Sequence, residues 1–197
     1  EPQVEMDPIV RAALVHYQFE TAHPFLDGNG RLGRLLITLM LINDGVLHSC
    51  LFYPSFQFKK NRSEYYRQLT SVRERGTYEE WIEFFCNSLL ESAKDSVGSL
   101  KNLVDLHNRS TATITENLGR TAANGQRLLG ILEEHPIVDT AFIAAQLDIG
   151  RSTASSLVKS FEELGILRPL DESRQRYRQY GYEEYLSILR EDAEPIR

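Results

Sequence analysis

A mainly α fold is predicted: a helical core followed by a small α+β domain of winged helix-turn-helix type. Three observations predict it. Apolar residues recur at helical spacing through most of the first 110 residues. Helix starts and stops are marked by Asp7-Pro8, Gly45 and Gly76. Three short helical patterns near the C-terminal end are followed by LRPLDESRQRYRQYGY, where turn residues separate two short extended pieces.

Asp7 reads as an N-cap with Pro8 at the first helical position, and Val10, Ala13, Leu14 and Tyr17 then share one helical face. This helix should run to about Ala22, because Pro24 disfavours the helical conformation at His23 and offers no N–H of its own. Residues 25–30 read as a loop. The run after Arg31 predicts a helix ending at Gly45 that is apolar nearly all round and therefore buried. Further helices are predicted over 56–75 and from Tyr78 to about Ala93. The Ser, Thr and Asn that follow weaken the helical pattern and place a domain boundary there. The expected organisation is a core over 1–110, a linker over 111–123 and the second domain over 124–197. In that domain AFIAAQLDIGRSTASSLVKSFEELGIL has the small and apolar spacing of a helix-turn-helix, and Leu167–Tyr182 reads as its wing.

Composition narrows the function classes. A formal charge of -6 argues against a surface built as a whole to hold nucleic acid or anionic lipid, so any phosphate site must be local. The longest apolar run, Leu35 to Ile42, is far short of the roughly 20 residues of a membrane span. No membrane partner is expected. Cys50 and Cys86 lack zinc-ligand spacing and point to reduced thiols in a cytoplasmic protein.

The chemistry concentrates between His23 and Arg34. Gly28 and Gly30 permit close backbone approach just where a helix begins, and a helix N-terminus presents unpaired N–H groups to an anion. Arg31 and Arg34, three apart, can hold a polyphosphate from one side. Asp27 suits a Mg²⁺ bridging phosphate oxygens. His23 is the one group here that is neutral and basic near pH 7. Each residue alone has an ordinary structural reading; together they specify phosphoryl or nucleotidyl transfer.

HPFLDGNGRLGR matches every fixed position of the Fic family motif, H-x-F-x-[D/E]-G-N-G-R-x-x-R. The resemblance extends through HYQFETA before it and RLLITLMLINDG and NRSEYYRQL after it, over about residues 7–95. It implies a protein adenylyltransferase that moves AMP from ATP, with Mg²⁺, to a Tyr, Thr or Ser hydroxyl of a target protein. His23 would be the base and Asp27 the Mg²⁺ ligand. Gly28, Asn29 and Gly30 would form the anion hole, with Leu32 and Gly33 in the same nucleotide-binding stretch. Arg31 would neutralise phosphate charge, and Arg34 would reach the γ-phosphate. Phe25 would anchor the loop in the core, and Lys60, Tyr65 and Tyr66 would be nucleotide-side contacts. A homodimer is also compatible with the resemblance.

Two parts of the family pattern are expected elsewhere. The upstream helices and target-aligning flap should precede Glu1, and the inhibitory [S/T]-x-x-x-E-[G/N] motif is not met, since Ala112 stands where Ser or Thr is required before Glu116-Asn117. Two alternatives stay open: a different donor on the same site, and a regulator that binds DNA or protein through the second domain. Ser152, Thr153, Ser155, Ser156, Lys159, Arg174, Arg176 and Arg178 favour DNA. Ten Lys and Arg against thirteen Asp and Glu over 120–197 oppose it.

Overall fold

The computed structural model describes residues 6–48, 54–171 and 178–191. They divide into two compact units, one extending to Gly98 and the other Ser99–Glu191. Among the described residues no helix is long and apolar enough to cross a membrane.

The first unit opens with α1 (Pro8–Ala22), capped by Asp7, whose Oδ1 accepts from the N–H groups of Ile9 and Val10 at 2.8 and 3.2 Å. Next come α2 (Asn29–Asn43), α3 (Ser55–Lys60), α4 (Arg62–Arg75) and the long α5 (Tyr78–Asn117), whose residues from Ser99 on belong to the second unit. The single helix expected over 56–75 is two helices, parted at Asn61, whose φ of -103° and ψ of 34° leave the helical region and whose side-chain amide donates to the Gln57 carbonyl at 3.2 Å. The core gathers Ala12, Ala13, Ile37, Phe58, Trp81 and Phe85, all at most 2% exposed. Trp81 Nε1 donates to the Ala13 carbonyl at 2.9 Å and fixes α5 on α1.

Helix α2 is not buried all round, contrary to expectation. Ile37 and Leu41 face the core, whereas Leu32, Leu35 and Leu39 lie on its open side, 41–52% exposed. An apolar composition tells which faces can be buried; the described residues cover one of them.

Helix α5 continues well past Ala93. Its Ser, Thr and Asn side chains do not break it because they bond back onto its own carbonyls: Ser88 to Phe84, Ser96 to Ser92, Thr115 to Thr111 and Asn117 to Thr113, at 2.8–3.0 Å. Thr111 to Asn117 are therefore helical. A 3₁₀ turn, Gly119–Thr121, then leads into α6.

The second unit contains α6 (Ala122–Glu134), β1 (Ile137–Asp139), α7 (Thr140–Leu147), α8 (Arg151–Glu163), β2 (Arg168–Pro169), β3 (Gln179–Gly181) and α9 (Glu183–Glu191). Asp139 caps α7 through the Phe142 N–H at 2.7 Å, and Asp148 ends it in the left-handed conformation. The strands form an antiparallel sheet in the order β1-β3-β2, Val138 and Pro169 both facing Tyr180 in register. Pro169 sits on an outer strand, where a missing N–H is tolerated. Leu128, Leu132, Ile143, Leu147, Ala154 and Phe161 are almost fully buried among these helices. The chain is thus mainly α with a small α+β region.

Candidate active site

Helix α1 ends at His23. Its N–H still closes the last turn on the Phe19 carbonyl at 3.0 Å, but its φ of 45° is left-handed, a conformation uncommon for non-glycine residues. Pro24 is the local cause, since it clashes with a right-handed helical residue before it. The imidazole is thereby released from the helix and exposed.

Residues 24–28 form the loop, and Asn29 holds it. Its side chain, 2% exposed, accepts from the Phe25 N–H at 2.9 Å and donates to the Phe25 carbonyl at 2.5 Å. Both backbone groups of one loop residue are therefore gripped from the first residue of α2. The Phe25 ring was expected in the core. It is instead 51% exposed, tilted on Phe19 at 6.3 Å, because the clamp acts on the Phe25 backbone and leaves the ring outside.

Gly28 takes φ 83° as the N-cap of α2, which only glycine adopts at no steric cost. Helix α2 starts with no side-chain cap and no acid in its first turn. Its leading N–H groups have no acceptor within the helix and carry the positive end of its dipole. Asp27 Oδ1 accepts from the Gly28 N–H at 2.7 Å, and its other oxygen lies 3.9 Å from the Arg31 guanidinium. Both side chains are exposed, at 96% and 79%, so this ion pair is weak and open to exchange. A Cβ placed on Gly30 would come within 3.2 Å of the Arg34 guanidinium, so Arg34 folds back over the same turn.

Beneath the turn lies a residue that inspection of the motif passes over. His16 is 1% exposed, with Nδ1 3.0 Å from the Gly33 carbonyl and Nε2 2.9 Å from the Tyr65 hydroxyl. A carbonyl can only accept, so Nδ1 carries the proton and Nε2 accepts from Tyr65. Burial pushes the His16 pKa down to about 4 against the opposing Gly33 bond, and the Arg34 charge acts in the same direction as burial. Tyr65, expected beside the nucleotide, is 5% exposed and committed to His16; burial raises its own pKa. Tyr66 is outside, 52% exposed, under the Arg62 guanidinium at 5.7 Å, and Lys60 is exposed at the end of α3. Leu32 is 41% exposed and Gly33 is buried.

This arrangement has a pH signature. His16 is neutral when folded and has an ordinary value of 6.5 when unfolded, so its contribution to stability is present above pH 6.5 and is lost as pH falls towards 4. A difference of that size corresponds to about 3 kcal/mol. Urea unfolding of His16→Phe is expected to show lower stability at pH 7.5 and a flatter decline towards pH 4. A decline as steep as in the unsubstituted chain would contradict the assignment.

The spacing 16, 20, 23 is the sequence signal that would have found this layer, since those positions fall on one helical face. Asp27 is the one motif carboxylate, and among the described residues no cluster of three His, Cys, Asp or Glu exists to hold a metal unaided. Mg²⁺ commonly takes one or two carboxylates and completes its shell with phosphate oxygens and water, so an exposed Asp27 fits that ion as part of a nucleotide complex.

In the second unit, Ser152, Thr153, Ser155, Ser156 and Lys159 line the exposed face of α8, opposite the buried Ala154, Leu157, Val158 and Phe161. Lys159 lies 3.7 Å from Glu163. Arg178 precedes β3, whereas Arg174 and Arg176 lie outside the described residues.

Comparison with known proteins finds similarity to one family and to proteins named for one activity. The Fic/DOC family model matches residues 2–41. Protein adenylyltransferase fic-1 of Caenorhabditis briggsae is 35% identical over 101 residues, 51% of this chain and 18% of that protein. Its counterpart in Caenorhabditis elegans is 33% identical over 105 residues, 53% of this chain and 19% of that protein. Protein adenylyltransferase Fic of Drosophila ananassae is 36% identical over 87 residues, 44% of this chain and 16% of that protein. The chain thus spans less than a fifth of the length of these relatives. The twelve-residue motif is complete and lies inside the segment that the Fic/DOC family model matches.

Proposed function

We propose that the chain is the nucleotide-handling part of a protein adenylyltransferase. The observation that carries the reading is the junction of α1 and α2: an exposed histidine released at one helix end beside an uncapped helix N-terminus flanked by Arg31, Arg34 and Asp27. A neutral imidazole is suited to accept the proton of a Tyr, Thr or Ser hydroxyl. The hydroxyl oxygen forms a bond to the α-phosphorus of ATP, the α–β bridging P–O bond breaks, and pyrophosphate leaves. The first-turn amides of α2 receive phosphate oxygens, and Arg31 and Arg34 offset their charge. Asp27 would hold Mg²⁺, which when bound neutralises phosphate charge. The relatives' names as adenylyltransferases support AMP as the transferred group over other donors.

The test is to incubate the protein and a cell lysate with ATP labelled at either the α- or the γ-phosphate. Label from the α-position alone is expected to enter protein. Label from the γ-position alone would mean phosphorylation and would sink the reading.

For the second unit we propose a winged helix-turn-helix module, supported by the α7–turn–α8 sequence and the sheet order β1-β3-β2. The hydroxyl-lined face of α8 is its recognition surface for DNA or a protein.

A further inference from the structure

We propose that Glu20 is a positioning residue for Arg34, a carboxylate set behind the phosphate cradle that holds the guanidinium on its inner side. Glu20 belongs to none of the motif positions. It stands on α1, three residues before His23 and four after His16, on the face that crosses α2.

The crossing is closest at Gly33. A Cβ there would collide with Glu20 Oε1 and would come within 3.1 and 3.2 Å of the His16 ring. Glycine at position 33 and glutamate at position 20 are thus a matched pair, the absent side chain of one making room for the carboxylate of the other. Arg34 is the next residue along α2, and its guanidinium folds over Gly30 on the first turn.

Glu20 Oε1 is sealed from solvent and has no hydrogen-bond partner. A buried carboxylate oxygen in that condition is costly unless a positive charge compensates it. Burial raises the Glu20 pKa, and the charges that oppose this are Arg34 first and then His23. The charges acting on it are therefore those of the two motif residues that would meet the nucleotide and its acceptor, and the Tyr65 hydroxyl lies within reach of its field. His16, which also faces it, is neutral. The negative field of Glu20 draws the Arg34 guanidinium inward over Gly30, where it can meet a terminal phosphate. Without it, the half-buried Arg34 has only the exposed Asp27 as an acidic neighbour within the motif, and Asp27 already faces Arg31.

The inference rests on the nucleotide reading only for its affinity readout, so the test has a second readout that does not. In the full chain, the Arg34 side-chain Nε–Hε resonance is identified by its loss in Arg34→Lys. It is expected to shift and exchange faster in Glu20→Gln, with the circular dichroism spectrum unchanged. Calorimetry of ATP and AMP is then run on a double-mutant cycle of Glu20→Gln and Arg34→Ala. Glu20→Gln is expected to weaken ATP binding about tenfold in the original background, and less than about twofold once Arg34 is gone. AMP binding should be nearly unaffected in each. An Arg34 resonance that ignores Glu20→Gln, or equal ATP losses in both backgrounds, would overturn the proposal and leave Glu20 as packing against Gly33. A resonance that responds in a chain that binds no ATP would uphold the pairing and overturn the nucleotide reading instead.

Discussion

His23→Ala is expected to lower AMP transfer by about 10²- to 10⁴-fold, the range that loss of a general base removes, while ATP binding changes little. The histidine is exposed at the end of α1, and its backbone N–H, not its ring, closes the helix. Truncating the ring therefore takes away the proton acceptor without opening the core. The backbone requires a control, because φ 45° is strained for a residue with a side chain and the strain depends on residue type. Asparagine tolerates the left-handed region better than alanine but is no base. His23→Asn should consequently be as inactive as His23→Ala and more stable to heat. Single-turnover incorporation of α-labelled AMP, read beside thermal melting, separates the two effects. Transfer surviving in either variant would remove His23 from the chemistry.

Much of this arrangement was legible in the residues. The Asp7-Pro8 cap and the exit at His23 follow from local stereochemistry, and local rules held at both. The helices over 140–147 and 151–163 were also foreseen, since Gly150 separates them and the apolar pattern on each side is strong. In α5 the misreading has one cause: polar residues were taken to end the helix. In α5 the Ser, Thr and Asn side chains return to carbonyls of their own helix. At Asn61 the same kind of bond, made to Gln57, stands where the helix is interrupted. The same local bond thus accompanies both outcomes, so residue type alone does not separate them.

The site was legible as a list of motif residues but not as layers. The motif residues announce themselves by charge and glycine spacing. Supporting groups do not, because His16 and Tyr65 look like any aromatic core pair until the Gly33 carbonyl is seen to receive the His16 proton. Tyr65 was assigned to the nucleotide on its position in NRSEYYRQL, whereas burial to 5% turns it inward and leaves Tyr66 at the surface. Adjacent helical residues point about 100° apart, so such a pair seldom shares one role.

Asn29→Ala is expected to disable the cradle with no base, arginine or metal ligand altered. The Asn29 amide is the only side chain seen to grip both backbone groups of Phe25 among the described residues, and it does so from a buried position. Alanine would leave the Phe25 N–H and carbonyl without those partners, and each such loss in a partly buried setting costs about 1–3 kcal/mol. The loop would then sample many conformations, and Asp27 and Gly28 would lose their place relative to the first turn of α2. Positioning errors of that kind lower ATP affinity and transfer together, by about 10²-fold. Helix content should hardly change, because the rest of α2 keeps its packing through Ile37 and Leu41. Asn29→Asp separates the two halves of the clamp: the carboxylate still accepts from the Phe25 N–H but cannot donate to its carbonyl, and it brings negative charge to the end of α2 where phosphate would bind. Hydrogen exchange at the Phe25 amide should thus be fast in Asn29→Ala and slow in Asn29→Asp, while ATP binding is poor in both. A Phe25 amide equally protected in the alanine variant would mean that the loop is held by something other than Asn29.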